Sequence, residues 1–326
     1  MLDHLHIQNY RLFKDLKIDK LGQVNLIAGK NNTGKTALLE ALWISENAWN
    51  DSVVSHVIFR RGDLNPNVDG GLVSLFKDRD RNRNISVKTM RNRNRNESDE
   101  ATIIISMSSL KRYNNFTIKV YHNNVMELED EIKFNVNSVF PLNLDCILVT
   151  FDVEISLAQS LWNSISLTSG EEDVIDILKV IVPNIFKVRL EDGNAKVLLQ
   201  NGKTPIPLKN FGEGVNRLFT IALALVNSKD RVLLIDEFEV GLHHSVQEQL
   251  WEIIFKYAKE WNIQVFATTH SQDTVKAFSY ISSKEEYKDM GQYMRLQPSR
   301  KTGEIEAVIY PQDSLENSLD LNLETR

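Results

Sequence analysis

Three short apolar runs stand out from their polar surroundings: Val24-Asn-Leu-Ile-Ala28, Arg231-Val-Leu-Leu-Ile235 and Ile263-Gln-Val-Phe-Ala267. Each has the length and continuity of a strand buried on both faces. Stretches with helical spacing follow the first two, at 37–43 and 245–261, and residues 218–226 read as a further apolar helix. Residues 1–50 predict an antiparallel β pair ahead of the first buried strand and its helix, which has one apolar face. Near the other end, Tyr293-Met-Arg-Leu-Gln297 and Glu304-Ile-Glu-Ala-Val-Ile-Tyr310 flank a turn containing Gly303, the pattern of a closing hairpin. The expected fold class is α/β with a mixed sheet, its first piece early in the chain and the rest late.

The interval between reads differently. Ala101-Thr-Ile-Ile-Ile-Ser106, Phe116-Thr-Ile-Lys-Val-Tyr121 and Cys146-Ile-Leu-Val-Thr150 alternate or run apolar, so its first part is β-rich. Residues 156–165 and 172–182 read as helices. The whole is expected to be a single domain, 1–326. Its core lobe is 1–50 and 205–326, with a β-rich and helical lobe, 51–204, inserted. The interval sustains no heptads, so a long coiled coil is not expected there.

The polar residues after the three runs carry the chemistry. Gly29-Lys-Asn-Asn-Thr-Gly-Lys-Thr36 matches GxxxxGK[ST] and lies between a strand and a helix, the context a phosphate-binding loop requires. Its glycines let the backbone approach a polyphosphate, and the helix start adds a positive dipole end. Gly29, Asn31, Asn32, Thr33, Gly34, Lys35, Thr36 and Ala37 are therefore candidate nucleotide contacts. Lys35 would reach the β- and γ-phosphates, and Thr36 would hold Mg²⁺. The second run ends in Asp236-Glu237: Asp236 is a candidate metal ligand, and Glu237 a candidate general base for an attacking water. Two adjacent carboxylates at a strand end repel each other, so a purely structural reason for them is weak. The third run leads into Thr268-Thr-His-Ser271, where His270 could meet the γ-phosphate; the alternative is a satisfied histidine at a sheet edge. Asn210-Phe-Gly-Glu-Gly214 precedes the helix at 218–226, and its Asn210, Gly212, Glu213 and Gly214 could form a second phosphate receptor. The alternative is a plain helix-start turn.

Composition narrows the partners. The 326 residues are 42% hydrophobic and 25% charged with a net charge of −6, so any contact with nucleic acid needs a local patch. One patch is present: Arg79, Arg81, Arg83, Arg91, Arg93 and Arg95 alternate largely with asparagine. It could meet a phosphate backbone, or be a solvated hairpin or a partner-docking face. The single cysteine, Cys146, permits no internal disulfide, which fits a reducing cytoplasm, and reads as a buried small hydrophobe. No signal peptide and no membrane span are expected. Arg60-Arg61 could reach across an interface or be a surface pair. Gln159 is the glutamine available for a nucleotide-sensing loop. Asp78-Arg-Asp80 is the only Asp-x-Asp, without an upstream glutamate strand to complete a Toprim-type nuclease site.

The order of these motifs resembles the ABC-type ATPase heads, and within them the branch that includes the structural-maintenance-of-chromosomes (SMC) and overcoming-lysogenization-defect (OLD) ATPases. Leu5-His-Ile-Gln-Asn-Tyr-Arg-Leu-Phe13 is similar to their first strand, and Glu239-Val-Gly-Leu-His243 to their dimer-contacting loop, with His244 where that pattern has proline. The signature departs from the transporter form Leu-Ser-Gly-Gly by lacking the serine. The resemblance implies an ATPase using ATP and Mg²⁺. Lys35, Glu237 and His270 would act on the γ-phosphate, while Gly212–Gly214 would arrive from a second subunit. It further implies an ATP-dependent dimer controlling a separately encoded effector, such as a Toprim-type nuclease or a toxin, in prokaryotic anti-phage defence. A DNA-repair or recombination ATPase binding DNA directly is the alternative.

Overall fold

Alternation along β1 (His4–Tyr10) and β2 (Phe13–Ile18) buries Leu5, Ile7, Phe13, Leu16 and Ile18 and leaves Lys14, Asp15 and Lys17 exposed. This is the period-2 pattern of a sheet with one face covered. The computed structural model describes residues 1–50, 52–61, 73–94, 97–107, 115–133, 144–150, 155–191, 193–312 and 315. The chain divides into two compact units, the first formed by 1–22, 29–145 and 294–310, the second by 23–28, 146–293 and 311–326.

In the first unit, β1 pairs with β2 on one side and with β4 (Ile85–Asn94) on the other. The antiparallel sheet continues through β5 (Glu97–Met107), β6 (Asn115–His122) and β7 (Val125–Lys133), in the order β2-β1-β4-β5-β6-β7. The segments 101–106 and 116–121 are thus strands of the sheet that the N-terminal pair begins. Helix α1 (Lys35–Glu46) packs on β1 and β4, and α2 (Ser52–Arg60) on α1. From Met294 on, this unit also holds a hairpin of β14 (Gly291–Pro298) and β15 (Ile305–Tyr310), with Gly303 in its turn, and β15 lies against β2.

Instead of the one apolar face read from the sequence, α1 is buried at ten of its twelve positions. Glu40 is among them, at 2% exposure, and a buried carboxylate requires partners. Arg61 supplies a two-pronged pair (2.8 and 3.1 Å), Arg11 a second guanidinium (3.1 Å), and the Tyr10 hydroxyl a donor (3.3 Å). Burial, reinforced by Glu40, raises the Tyr10 phenol well above its usual range.

In the second unit, β3 (Val24–Ala28), β13 (Gln264–Thr269), β12 (Val232–Ile235) and β8 (Cys146–Val149) run parallel in that order, and every residue in them is buried. Cys146 takes the buried place read for it. Helix α5 (Glu213–Asn227) packs on β8 and β12, while α6 (His244–Glu260) and α7 (Gln272–Ser282) cover β3. Helices α3 (Ile155–Ile165) and α4 (Gly170–Leu178) pack on α5. A three-stranded antiparallel sheet of β9 (Ile185–Glu191), β10 (Asn194–Leu199) and β11 (Ile206–Pro207) was not read from the sequence. Its signals were present: Val188 and Leu190 alternate with charged residues, and Asp192-Gly193 is a hairpin-turn dipeptide. Among the described residues, no helix is long and apolar enough to cross a membrane.

His56 on α2 is buried edge-on to Trp43, with ring centres 5.5 Å apart. Burial, and secondarily Arg60, lowers its pKa from 6.5 to about 4. The unfolded chain therefore takes up this proton first. The stabilisation is fully present above pH 6.5 and is lost as pH falls from 6.5 through about 4. His56→Phe should flatten this part of the curve of urea midpoint against pH.

Candidate functional site

The phosphate-binding loop belongs to the first unit, and its conformation explains its sequence. Gly34 has φ +93°, and a Cβ there would lie 2.7 Å from the Phe13 ring. Glycine is therefore required both by the backbone and by the strand beneath. Lys35 and Ala37 are buried at the start of α1, and Lys35 Nζ donates to the carbonyls of Gly29 (2.8 Å) and Lys30 (3.1 Å). Thr33 is buried, and its hydroxyl donates to the Lys30 carbonyl (2.9 Å), pinning the loop on itself. Asn31 and Asn32 are exposed, Asn32 with φ +63°. Thr36 is the second residue of α1. The helix has no side-chain cap and no acidic residue in its first turn, so no carboxylate there offsets the dipole. These features fit a polyphosphate, with the Thr36 hydroxyl at the helix start as a ligand for its cation.

The acidic half belongs to the second unit. Ile235 lies in register with Val149 and Ala267, so Asp236 leaves β12 level with Thr150 and with Thr268 of β13. Asp236 is buried, and its Oδ1 accepts from the Thr268 hydroxyl (2.6 Å). The same hydroxyl oxygen accepts from the Glu237 backbone N–H (2.9 Å). Glu237 is half-buried with φ +49°, a left-handed conformation that costs an ordinary residue energy. Arg217, on α5, helps hold it there. Its guanidinium donates to the carbonyls of Thr150, Asp236 (2.6 Å) and Glu237 (3.4 Å). Burial lowers the Arg217 pKa to about 10 against the opposing pull of Asp236, Glu237 and Glu239. Beyond them, Phe238 stacks on Trp251 at 4.1 Å and anchors the turn in the core.

His270 follows β13 and is about half exposed. Its Nδ1 lies 2.9 Å from Glu239, which also accepts from the His270 backbone N–H (2.8 Å). Asn210, Gly212 and Glu213 are exposed at the start of α5, which begins at Glu213 rather than near 218. A Cβ on Gly214 would lie 2.6 Å from the Gly241 carbonyl, so the Asn210–Gly214 segment rests directly on the turn after Glu237. The structure thus brings together Asp236, Glu237, His270 and the Gly214 turn within the second unit. Thr268, Arg217 and Glu239 do the holding. The motif pattern contains the threonine and the glutamate, but nothing in it distinguishes Arg217.

Other candidates are placed differently. Arg61 is tied to Glu40 on α1, which answers the question left open for Arg60-Arg61 at that residue. Gln159 spends its amide on Asn163 and on the Gly193 N–H. Asp78 and Asp80 pair with Lys77 and Arg83 in a turn. In the arginine cluster, Arg83 pairs with Asp80 and Arg91 with Glu46. Arg95 and the Arg93 side chain, like Asp313 and Asp320, lie outside the described residues.

The Thr268 bridge is directly testable. Thr268→Val keeps the shape but removes the hydroxyl, leaving a buried carboxylate oxygen and an N–H short of a partner. The expected cost is about 1–3 kcal/mol, read as a lower urea midpoint.

Comparison with known proteins agrees with this geometry. An "ATP/GTP phosphatase" of Helicobacter pylori is 23% identical over 336 residues, covering 88% of this chain and 90% of that protein. The SMC head domain from Thermotoga maritima matches at TM-score 0.55 and 12% identity, over 95% of this chain and 99% of that one. An Smc head domain with an extended coiled coil, bound to the C-terminal domain of ScpA derived from Pyrococcus furiosus, matches at TM-score 0.60 and 12% identity, over 98% of each. At such identities these two structures show the fold alone, that of an SMC-like head. Residues 24–275, well over half of the chain, match the AAA_21 family model, "AAA domain, putative AbiEii toxin, Type IV TA system", and the chain belongs to that family of ATPases.

Proposed function

We propose that this chain is an ATP-hydrolysing switch that dimerises through its nucleotide and controls a separately encoded effector. The observation that carries the hydrolytic part is Glu237. A carboxylate is held in a left-handed turn directly after the buried Asp236, its backbone tied by Thr268 and Arg217, which is the placement a general base beside a metal ligand needs. Lys35 and the loop backbone would bind the β- and γ-phosphates. The Thr36 hydroxyl and Asp236 would hold Mg²⁺, which supplies charge neutralisation on the phosphate oxygens. Glu237 orients a water and takes its proton as the water oxygen bonds to the γ-phosphorus, and ADP leaves. His270 contacts the terminal phosphate. Asn210, Gly212, Glu213 and Gly214 of a second copy close on the same phosphate.

The effector reading draws on two supports. The family description names a toxin–antitoxin system, and the Pyrococcus furiosus head carries a bound ScpA domain. A nuclease or a toxin would be the separate polypeptide, in anti-phage defence within a reducing cytoplasm. Direct DNA binding through Arg79–Arg95, as in a repair or recombination ATPase, has less support, because Arg83 and Arg91 are already paired with carboxylates.

Glu237→Gln should lower turnover on the order of 10²–10⁴-fold and retain ATP binding. Light scattering on a sizing column should then find its mass doubled in Mg-ATP. Normal turnover would remove Glu237 as the base, and an unchanged monomer with ATP bound would remove the nucleotide-held dimer. Lys35→Ala should weaken ATP binding itself, measured by calorimetry; unchanged affinity would contradict the phosphate-loop assignment.

A further inference from the structure

We propose that Glu239 is a positioning residue for His270, fixing which ring nitrogen meets the terminal phosphate. This rests on the reading of His270 as a phosphate contact. Glu239 lies in the turn between β12 and α6, its side chain 10% exposed. Oε1 accepts from the His270 backbone N–H at 2.8 Å and lies 2.9 Å from the ring Nδ1. Oε2 accepts from the Thr269 hydroxyl at 2.8 Å. One carboxylate therefore grips the backbone, the ring and the preceding side chain.

An ionised carboxylate only accepts hydrogen bonds, so Nδ1 carries the proton in this contact. Nε2 is then the nitrogen turned toward the terminal phosphate, and because phosphate oxygens only accept, it donates to them once the ring carries its second proton. A purely architectural role explains less. Helix α7 already has its own cap, because Ser271 accepts from the Thr274 N–H. The turn carrying Glu239 also carries Gly241, whose carbonyl abuts Gly214. The orientation of the histidine is thereby linked to the first turn of α5.

The test is a double-mutant cycle on the full chain, with kcat and KM for ATP measured for His270→Ala, Glu239→Ala and the pair. Both single variants should lose roughly 10- to 100-fold in kcat with KM little changed, and the pair should be no worse than either. Glu239→Gln, which keeps an acceptor for Nδ1–H, should recover most of the loss. Should Glu239→Ala fail to fold, Glu239→Asp keeps the charge but falls one methylene short, and the same kcat loss is expected. Long-range heteronuclear NMR of the labelled imidazole should find the Nδ1–H form in the parent protein and in Glu239→Gln, and a mixture in Glu239→Asp. An impaired His270→Ala beside a normal Glu239→Ala would overturn the positioning role alone. A normal His270→Ala would overturn the reading of the histidine, and this inference with it.

Discussion

Parallel register is the constraint on which the acidic half of the molecule depends. Val149, Ile235 and Ala267 are aligned, so Thr150 and Asp236 leave their strands level with Thr268, the next residue of β13, toward the carboxyl edge where open α/β sheets bind ligands. Only because these ends are level can one hydroxyl serve both Asp236 and the Glu237 backbone, and one guanidinium span three carbonyls. A shift of one residue in β12 would break both arrangements and turn its side chains to the other face. Ala28 is likewise in register with Thr269, so β3 and β13 end together.

Burial imposes the second constraint. Because α1 is enclosed on almost all sides, Glu40 cannot be solvated and instead gathers Arg11, Arg61 and Tyr10. Replacing one member of such a buried set leaves charge uncompensated, which costs more than the intact set contributes. The network joins the ends of β1 and α2 to the helix that carries Lys35. Its value lies as much in fixing where that helix starts as in stability.

Much of this was legible in the sequence. The three apolar runs became β3, β12 and β13, and the Gly29–Thr36 loop lies between a strand and a helix as its pattern requires. Local signals set these features. The sheet of β9–β11 was missed although its alternation and turn were visible, because short strands compete with neighbouring helical patterns for the same residues. Arg217 was not legible at all. Its role depends on carbonyls at the ends of two strands, one of them 67 residues away, and sequence spacing carries no trace of a backbone acceptor. Arg61 was ambiguous for a related reason, since its partner Glu40 lies on a helix expected to have one apolar face and is instead a buried charge.

The contact of Gly214 with the Gly241 carbonyl leaves no room for a side chain between the first turn of α5 and the turn before α6. The two segments therefore present one continuous backbone surface. Whatever docks there meets a face that is already assembled, and little loop entropy remains to be lost on association. Selectivity on such a face comes from its shape more than from side-chain adaptation. A loose ligand cannot induce half of it, and the right one engages both segments at once.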